Sequence, residues 1–171
     1  SVYDTANVLS RFVHGLIVRT YEQKELEELS EMGTIPVINA LTDFLHPCQT
    51  YTDAFSMTER WSDGTNHLES LKGRKMAYFG DTANNIANSW ILGAAMFGME
   101  LVLAGPEGYE PGDKIKQVLA DSGYAPTYTF TNDPEAAARD ADALYTDTWV
   151  SMGQEEESAD RIEAMRPFSV T

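Results

Sequence analysis

His46 and Gln49 are the first pair of residues whose types and spacing suggest chemistry, within the segment LTDFLHPCQTYTDAF. Pro47 favours the first position of a helix, because it has no N–H to leave unbonded and its φ angle already suits the helix. His46 is therefore expected at the cap, with Gln49 on the same side of the helix. A helix N-terminus attracts anions and disfavours a charged imidazole. Two interpretations stay open: His46 only caps its own helix, or both side chains bind a small carbonyl compound that carries an anionic group.

A second set of candidates follows the apolar strand that precedes TDTWVSMGQEEE. Asp147 would lie at the strand end, where a carboxylate can hold an ammonium group. Ser151, Met152 and Gly153 would form a loop at the same edge. The alternative is an ordinary helix start, with Ser151 as the cap and glutamates in the first turn. Both interpretations can hold for one segment.

Strands and helices alternate along the chain, and this order must position the candidates. The expected helices cover 2–13, 22–31, 47–61, 84–98, 113–123 and 134–141, and the expected strands are GLIVRT, IPVINA, KMAYFGD, MELVLAGP, TYTFTN and DALYTDTW. This rhythm predicts an α/β fold with parallel sheets flanked by helices. Ligands bind such sheets beyond the carboxyl ends of strands, which draws attention to Arg19 and to 81–85, 105–108 and 147–152. The polar, turn-rich segment SDGTNHLESLKGR is a plausible domain boundary.

The amino-acid composition limits the kinds of molecule that the chain is expected to bind. Twelve basic and 27 acidic residues give a net charge of −15, which would repel nucleic acid and anionic lipid. No apolar run reaches membrane-spanning length, so no membrane partner is expected. The single Cys48 allows no internal disulfide and fits a reducing, cytoplasmic compartment. GDTANNIANS lacks the glycine spacing of dinucleotide and phosphate loops, and the histidines lack the spacing of a zinc site.

Four segments, in this order and at these separations, closely resemble the ornithine carbamoyltransferases of the aspartate/ornithine carbamoyltransferase family: LTDFLHPCQ, GDTANNIANS, GPEGYEP and YTDTWVSMGQEEE. The H-P-x-Q motif is similar to that of the wider family. The S-M-G loop after D-x-x-x is similar to the ornithine-specific signature. The resemblance extends over essentially all 171 residues.

The resemblance implies transfer of a carbamoyl group from carbamoyl phosphate to the side-chain amine of L-ornithine. The products are L-citrulline and phosphate, within arginine metabolism, and the family needs no metal and no cofactor. Matched by motif, Arg19, His46 and Gln49 would be the catalytic groups and would bind carbamoyl phosphate. His46 would contact the carbonyl oxygen, and Gln49 the carbamoyl amide.

The residues implied to bind ornithine are Asn85, Asp147, Ser151 and Met152, with Asp147 at the α-ammonium. The resemblance also implies a two-domain architecture and a homo-oligomer, a trimer in the family. Residues 1–60 would be the C-terminal part of the carbamoyl-phosphate-binding domain with the connecting helix. Residues 61–171 would be an incomplete ornithine-binding domain.

Two family segments, S-T-R-T-R and H-C-L-P, are absent from these residues. We therefore expect an internal fragment that holds half of each substrate site and is inactive, or nearly so, alone. Two alternatives stay open: a carbamoyltransferase with a different amine acceptor, such as another diamine or aspartate, and a non-catalytic α/β binding domain.

Overall fold

The computed structural model describes residues 1–65, 67–150 and 158–171. Within them, the α-helices are α1 (Val2–Leu9), α2 (Gln23–Met32), α3 (Pro47–Trp61), α4 (Asn85–Phe97), α5 (Asp113–Ser122), α6 (Pro134–Ala138) and α7 (Ser158–Met165). The strands are β1 (Leu16–Arg19), β2 (Val37–Leu41), β3 (Lys75–Phe79), β4 (Glu100–Ala104), β5 (Tyr128–Thr131) and β6 (Ala143–Thr146). The predicted α/β class, with parallel sheets flanked by helices, is confirmed.

Helix α1 is shorter than the sequence pattern predicts. It ends at Leu9 rather than near Val13, with Ser10 as its C-cap. The Ser10 hydroxyl donates to the carbonyl of Ala6 at 2.7 Å and accepts the backbone N–H of Thr34 at 3.1 Å. The serine side chain thus bonds the helix end and the loop after α2, and the chain turns toward β1.

The chain forms two parallel sheets. Strands β1 and β2 form the smaller one, and the larger has the order β5-β4-β3-β6. The chain builds outward from β3 to β5 and then returns to place β6 on the other side of β3. The carboxyl ends of β3 and β6 are therefore a topological switch point, where open α/β sheets bind ligands.

The larger sheet is covered on both faces. On one face, alternate residues of β3 and β4 pack with α4 in a buried cluster that includes Met76, Tyr78, Trp90, Ile91, Leu101 and Leu103. On the other face, a smaller cluster contains Ala77, Phe79, Val102, Ala104, Ala137 and Phe168. Burial on both sides explains why β3 and β4 are continuous apolar runs.

Helix α3 leads from the smaller sheet to the larger one and packs against α4. Contact is close at Gly93, where a Cβ atom would lie 2.6 Å from Cγ2 of Thr50. This packing fixes the first turn of α3 relative to the third turn of α4. Over the described ranges, none of the helices has the length and apolar character needed to span a membrane.

Candidate active site

His46 caps helix α3. Its Nδ1 accepts the backbone N–H of Gln49 at 3.4 Å, and Pro47 occupies the first helical turn. The backbone N–H of His46 donates to the Ser89 hydroxyl of α4 at 2.7 Å. The predicted cap is therefore confirmed. It does not compete with binding, since an Nδ1 that accepts a hydrogen bond leaves the proton of the neutral ring on Nε2.

Gln49 is held by the side chain one turn further along α3. Its Nε2 donates to Oδ1 of Asp53 at 2.9 Å. The other carboxylate oxygen of Asp53 accepts the hydroxyl of Tyr145, on β6, at 2.7 Å. Helix α3 and the larger sheet are thus joined through one carboxylate.

The first turn of α4 carries polar side chains that tie it to the segment after β2. Nδ2 of Asn85 donates to the carbonyl of Thr42 at 2.7 Å, which orients the amide and leaves Oδ1 and the second N–H for a ligand. Nδ2 of Asn88 donates to the carbonyl of Phe44 at 3.1 Å. These bonds hold the loop that leads into His46.

Asn84 is the N-cap of α4, as expected for an asparagine in this position, and its Oδ1 accepts the backbone N–H of Ala87 at 2.8 Å. Its Nδ2 lies 3.3 Å from Oδ2 of Asp147, beyond the end of β6. Asn84 therefore orients the carboxylate that the sequence indicated, a role that its capping position did not suggest.

Five of the seven predicted site residues line a single cavity of about 460 Å³. They are Arg19, His46, Gln49, Asn85 and Asp147. The same cavity is lined by Leu41, Ile86, Tyr145, Thr148 and Val150. The other two predicted residues, Ser151 and Met152, lie outside the described residues. The cavity thus joins the end of β1, the start of α3, the start of α4 and the end of β6.

Burial sets the protonation tendencies of two cavity residues. It lowers the pKa of His46, and the nearby Arg19 guanidinium lowers that pKa further. The direction agrees with the neutral imidazole expected from the helix N-terminus, although burial is the larger cause. Burial also raises the pKa of Asp147 above its ordinary value. A cation that binds beside Asp147 would offset the cost of burying its charge.

The cavity therefore contains a permanently charged guanidinium, a neutral imidazole that can donate a hydrogen bond, two side-chain amides and a carboxylate. Such a set suits a compound with an anionic group and a carbonyl, together with a second compound that carries an ammonium group. Within the described ranges, no three His, Cys, Asp or Glu side chains are grouped as metal ligands would be.

Sequence reasoning missed Asp53 and Tyr145, although signals for both existed. Asp53 follows Gln49 by four positions, so the two lie on one face of α3. Tyr145 precedes Asp147 by two positions, so the alternation of an extended chain places them on one side, although β6 itself ends at Thr146. Neither signal indicates which partner each side chain meets, because that contact joins distant parts of the chain.

Comparison with known proteins gave two family matches. Residues 72–171 match the family described as aspartate/ornithine carbamoyltransferase, Asp/Orn binding domain. Residues 1–59 match aspartate/ornithine carbamoyltransferase, carbamoyl-P binding domain. Together the two matches extend over most of the chain.

Curated relatives and solved structures agree with these matches. An ornithine carbamoyltransferase of Methanoculleus marisnigri is 42% identical over 170 residues, covering 99% of this chain and 52% of the relative. The structure of ornithine carbamoyltransferase from Pyrococcus furiosus superposes with a TM-score of 0.83 at 42% identity, covering 99% of this chain and 52% of that one. The anabolic enzyme of Campylobacter jejuni gives a TM-score of 0.83 at 30% identity, covering 100% of this chain and 55% of that one. This chain spans about half the length of the curated relatives it matches.

Proposed function

The chain belongs to the aspartate/ornithine carbamoyltransferase family, and we propose that the whole protein transfers the carbamoyl group of carbamoyl phosphate to the side-chain amine of L-ornithine. The products would be L-citrulline and phosphate. One observation carries the proposal. The side chains that the motifs assign to the two substrates line one cavity: Arg19, His46, Gln49, Asn85 and Asp147.

We assign the carbamoyl phosphate side of the cavity to Arg19, His46 and Gln49. When the amine attacks the carbonyl carbon, negative charge develops on the carbonyl oxygen. The Nε2–H of a neutral His46 is a donor held in place by the helix cap, so it can stabilise that charge without reorganising. The permanently charged, planar guanidinium of Arg19 suits the same oxygen or the phosphate.

We assign the amino acid side to Asp147 and Asn85. The ornithine α-ammonium would pair with Asp147, whose carboxylate is oriented by Asn84. Oδ1 of Asn85 would accept from the amino acid, because the bond from its NH2 group to the Thr42 carbonyl orients the amide. Ser151 and Met152, which lie outside the described residues, would complete this side.

The reaction then needs no protein-bound intermediate. The neutral side-chain amine of ornithine forms a bond to the carbonyl carbon, the bond from that carbon to the phosphate oxygen breaks, and the proton that the amine nitrogen loses passes to the leaving phosphate. Most of the rate gain is expected from the alignment of two substrates in one cavity and from the donors aimed at the carbonyl oxygen.

We also propose the domain division at residue 60, with 1–60 serving carbamoyl phosphate and 61–171 serving ornithine. The extents of the two family matches, 1–59 and 72–171, support it. A homo-oligomer, trimeric as in the family, a cytoplasmic location and a place in arginine metabolism complete the proposal.

A citrulline assay with carbamoyl phosphate and ornithine tests the function, with aspartate as a parallel acceptor. It is run on the 171-residue chain and on the chain extended to the length of its relatives. Citrulline from the extended chain with ornithine, and no product with aspartate, is the expected result. Product with aspartate alone would overturn the acceptor. If neither chain gives product and neither gains thermal stability with carbamoyl phosphate, the proposed function fails, because a ligand that binds the folded chain raises its melting temperature.

A further inference from the structure

We propose that Asp53 is a positioning residue: it holds the side-chain amide of Gln49 so that its carbonyl oxygen is left for the ligand, and it ties this orientation to β6 through Tyr145. The inference rests on the proposed function, in which Gln49 holds the carbamoyl amide. It adds a residue that is not among those lining the cavity and that none of the sequence motifs indicates.

The chemistry of Asp53 dictates which end of the Gln49 amide it meets. An ionised carboxylate has acceptor atoms only. The Gln49 atom that lies 2.9 Å from Oδ1 of Asp53 is therefore the NH2 nitrogen. Oε1 of Gln49 remains for the cavity. A carbamoyl NH2 group is a donor, so it needs this acceptor. If the Gln49 amide turned over, two NH2 groups would face each other.

The second oxygen of Asp53 makes the orientation depend on the larger sheet. It accepts the Tyr145 hydroxyl at 2.7 Å, across 92 positions of sequence. The Tyr145 ring stacks on Tyr78 with centroids 5.5 Å apart and meets the edge of Trp90 at 5.8 Å. A carboxylate bonded at both oxygens, to one packed ring and one amide, has little freedom to rotate.

The consequence is a mechanical link between the two halves of the cavity. Tyr145 lies on strand β6, and Asp147, the carboxylate assigned to ornithine, is the first residue after that strand. Asp53 therefore fixes the position of Gln49, on the carbamoyl phosphate side of the cavity, relative to Asp147, on the amino acid side. Loss of Asp53 should impair carbamoyl phosphate binding through Gln49, and not independently of it.

A double-mutant cycle on the complete protein tests this dependence. We expect Asp53→Ala to raise KM for carbamoyl phosphate about tenfold, the factor corresponding to one ordinary hydrogen bond. In a Gln49→Ala background the same change should have almost no further effect, because the amide it positions is gone. Glu59→Ala is the matched control, since Glu59 is exposed on the same helix. It should leave KM unchanged.

If Asp53→Ala raises KM for carbamoyl phosphate equally in the wild-type and Gln49→Ala backgrounds, or raises it in neither, the inference is overturned. If Asp53→Ala does not fold, Asp53→Leu takes its place in the cycle, because it fills the space and forms neither hydrogen bond.

A readout independent of the reaction is the solvent exchange of the Gln49 side-chain amide protons by NMR. Slow exchange that is lost in Asp53→Ala supports the link, and fast exchange in the wild-type protein overturns it. A wild-type protein without transferase activity would refute the proposed function, and the exchange measurement would then decide the positioning role alone.

Discussion

Replacing His46 with asparagine should remove most of the turnover and leave the fold intact. Asparagine is among the best N-cap residues, so its side-chain oxygen can accept the Gln49 N–H that His46 now accepts at 3.4 Å. Its shorter side chain has no donor at the place of Nε2. The substitution therefore separates the cap from the donor assigned to the carbonyl oxygen.

The size of the effect follows from these two roles. Loss of one preorganised donor typically costs roughly 2.7–4 kcal/mol in the barrier, or about 10²–10³-fold in kcat. Loss of a helix cap costs about 1 kcal/mol of stability. His46→Ala should therefore lose both turnover and thermal stability, while His46→Asn loses turnover alone. Because charge on the oxygen develops in the transition state, kcat should fall more than KM for carbamoyl phosphate rises.

The assay is steady-state citrulline formation by the complete protein at saturating ornithine, with thermal unfolding followed by circular dichroism. His46→Asn with turnover close to that of the wild type, and with wild-type stability, would refute the donor role. A turnover loss in the alanine variant that asparagine restores would show that the cap alone accounts for the effect.

Three further predictions concern stability, each measured by denaturant or thermal unfolding. Thr50→Val should leave stability unchanged or raise it by up to about 1 kcal/mol, because among the described residues the buried Oγ1 has no hydrogen-bond partner; a clear loss would contradict this. Asp81→Asn should cost roughly 1.5–3 kcal/mol, because it replaces a charged acceptor of the buried Arg161 with a neutral one. Asp113→Asn, in an exposed pair, should cost little, and equal costs would refute the distinction. Asp147→Asn should raise the free energy of unfolding at neutral pH. Folding raises the pKa of the Asp147 carboxyl above its ordinary value of 3.8, so this carboxyl makes the folded state less stable as the pH increases from 3.8 through the raised pKa. The advantage of this variant should vanish below pH 3.8, and an advantage that persists there would show another cause.

Much of the fold could be predicted because its determinants are local. The switch between helical and strand periodicity gives the order of elements, and Pro47 fixes the start of α3 at the position that the structure shows. Gly98 ends α4 in the left-handed conformation that favours glycine, with φ +69°. The hydrophobic spacing places the end of α1 too late, because it does not reflect the hydrogen bonds that the Ser10 hydroxyl makes to Ala6 and to Thr34.

The sequence by itself determined the types of the candidate residues and the order of the strands and helices beside which they lie. Only the tertiary structure decided that Arg19 and Asp147 line one cavity, because that depends on β6 returning to the side of β3. Strand order follows from which faces bury the most apolar surface together, and this is a property of the whole chain. For the same reason the contact of Asp53 with Tyr145 could not be read from either segment: each residue's face was predictable, and the partner was not.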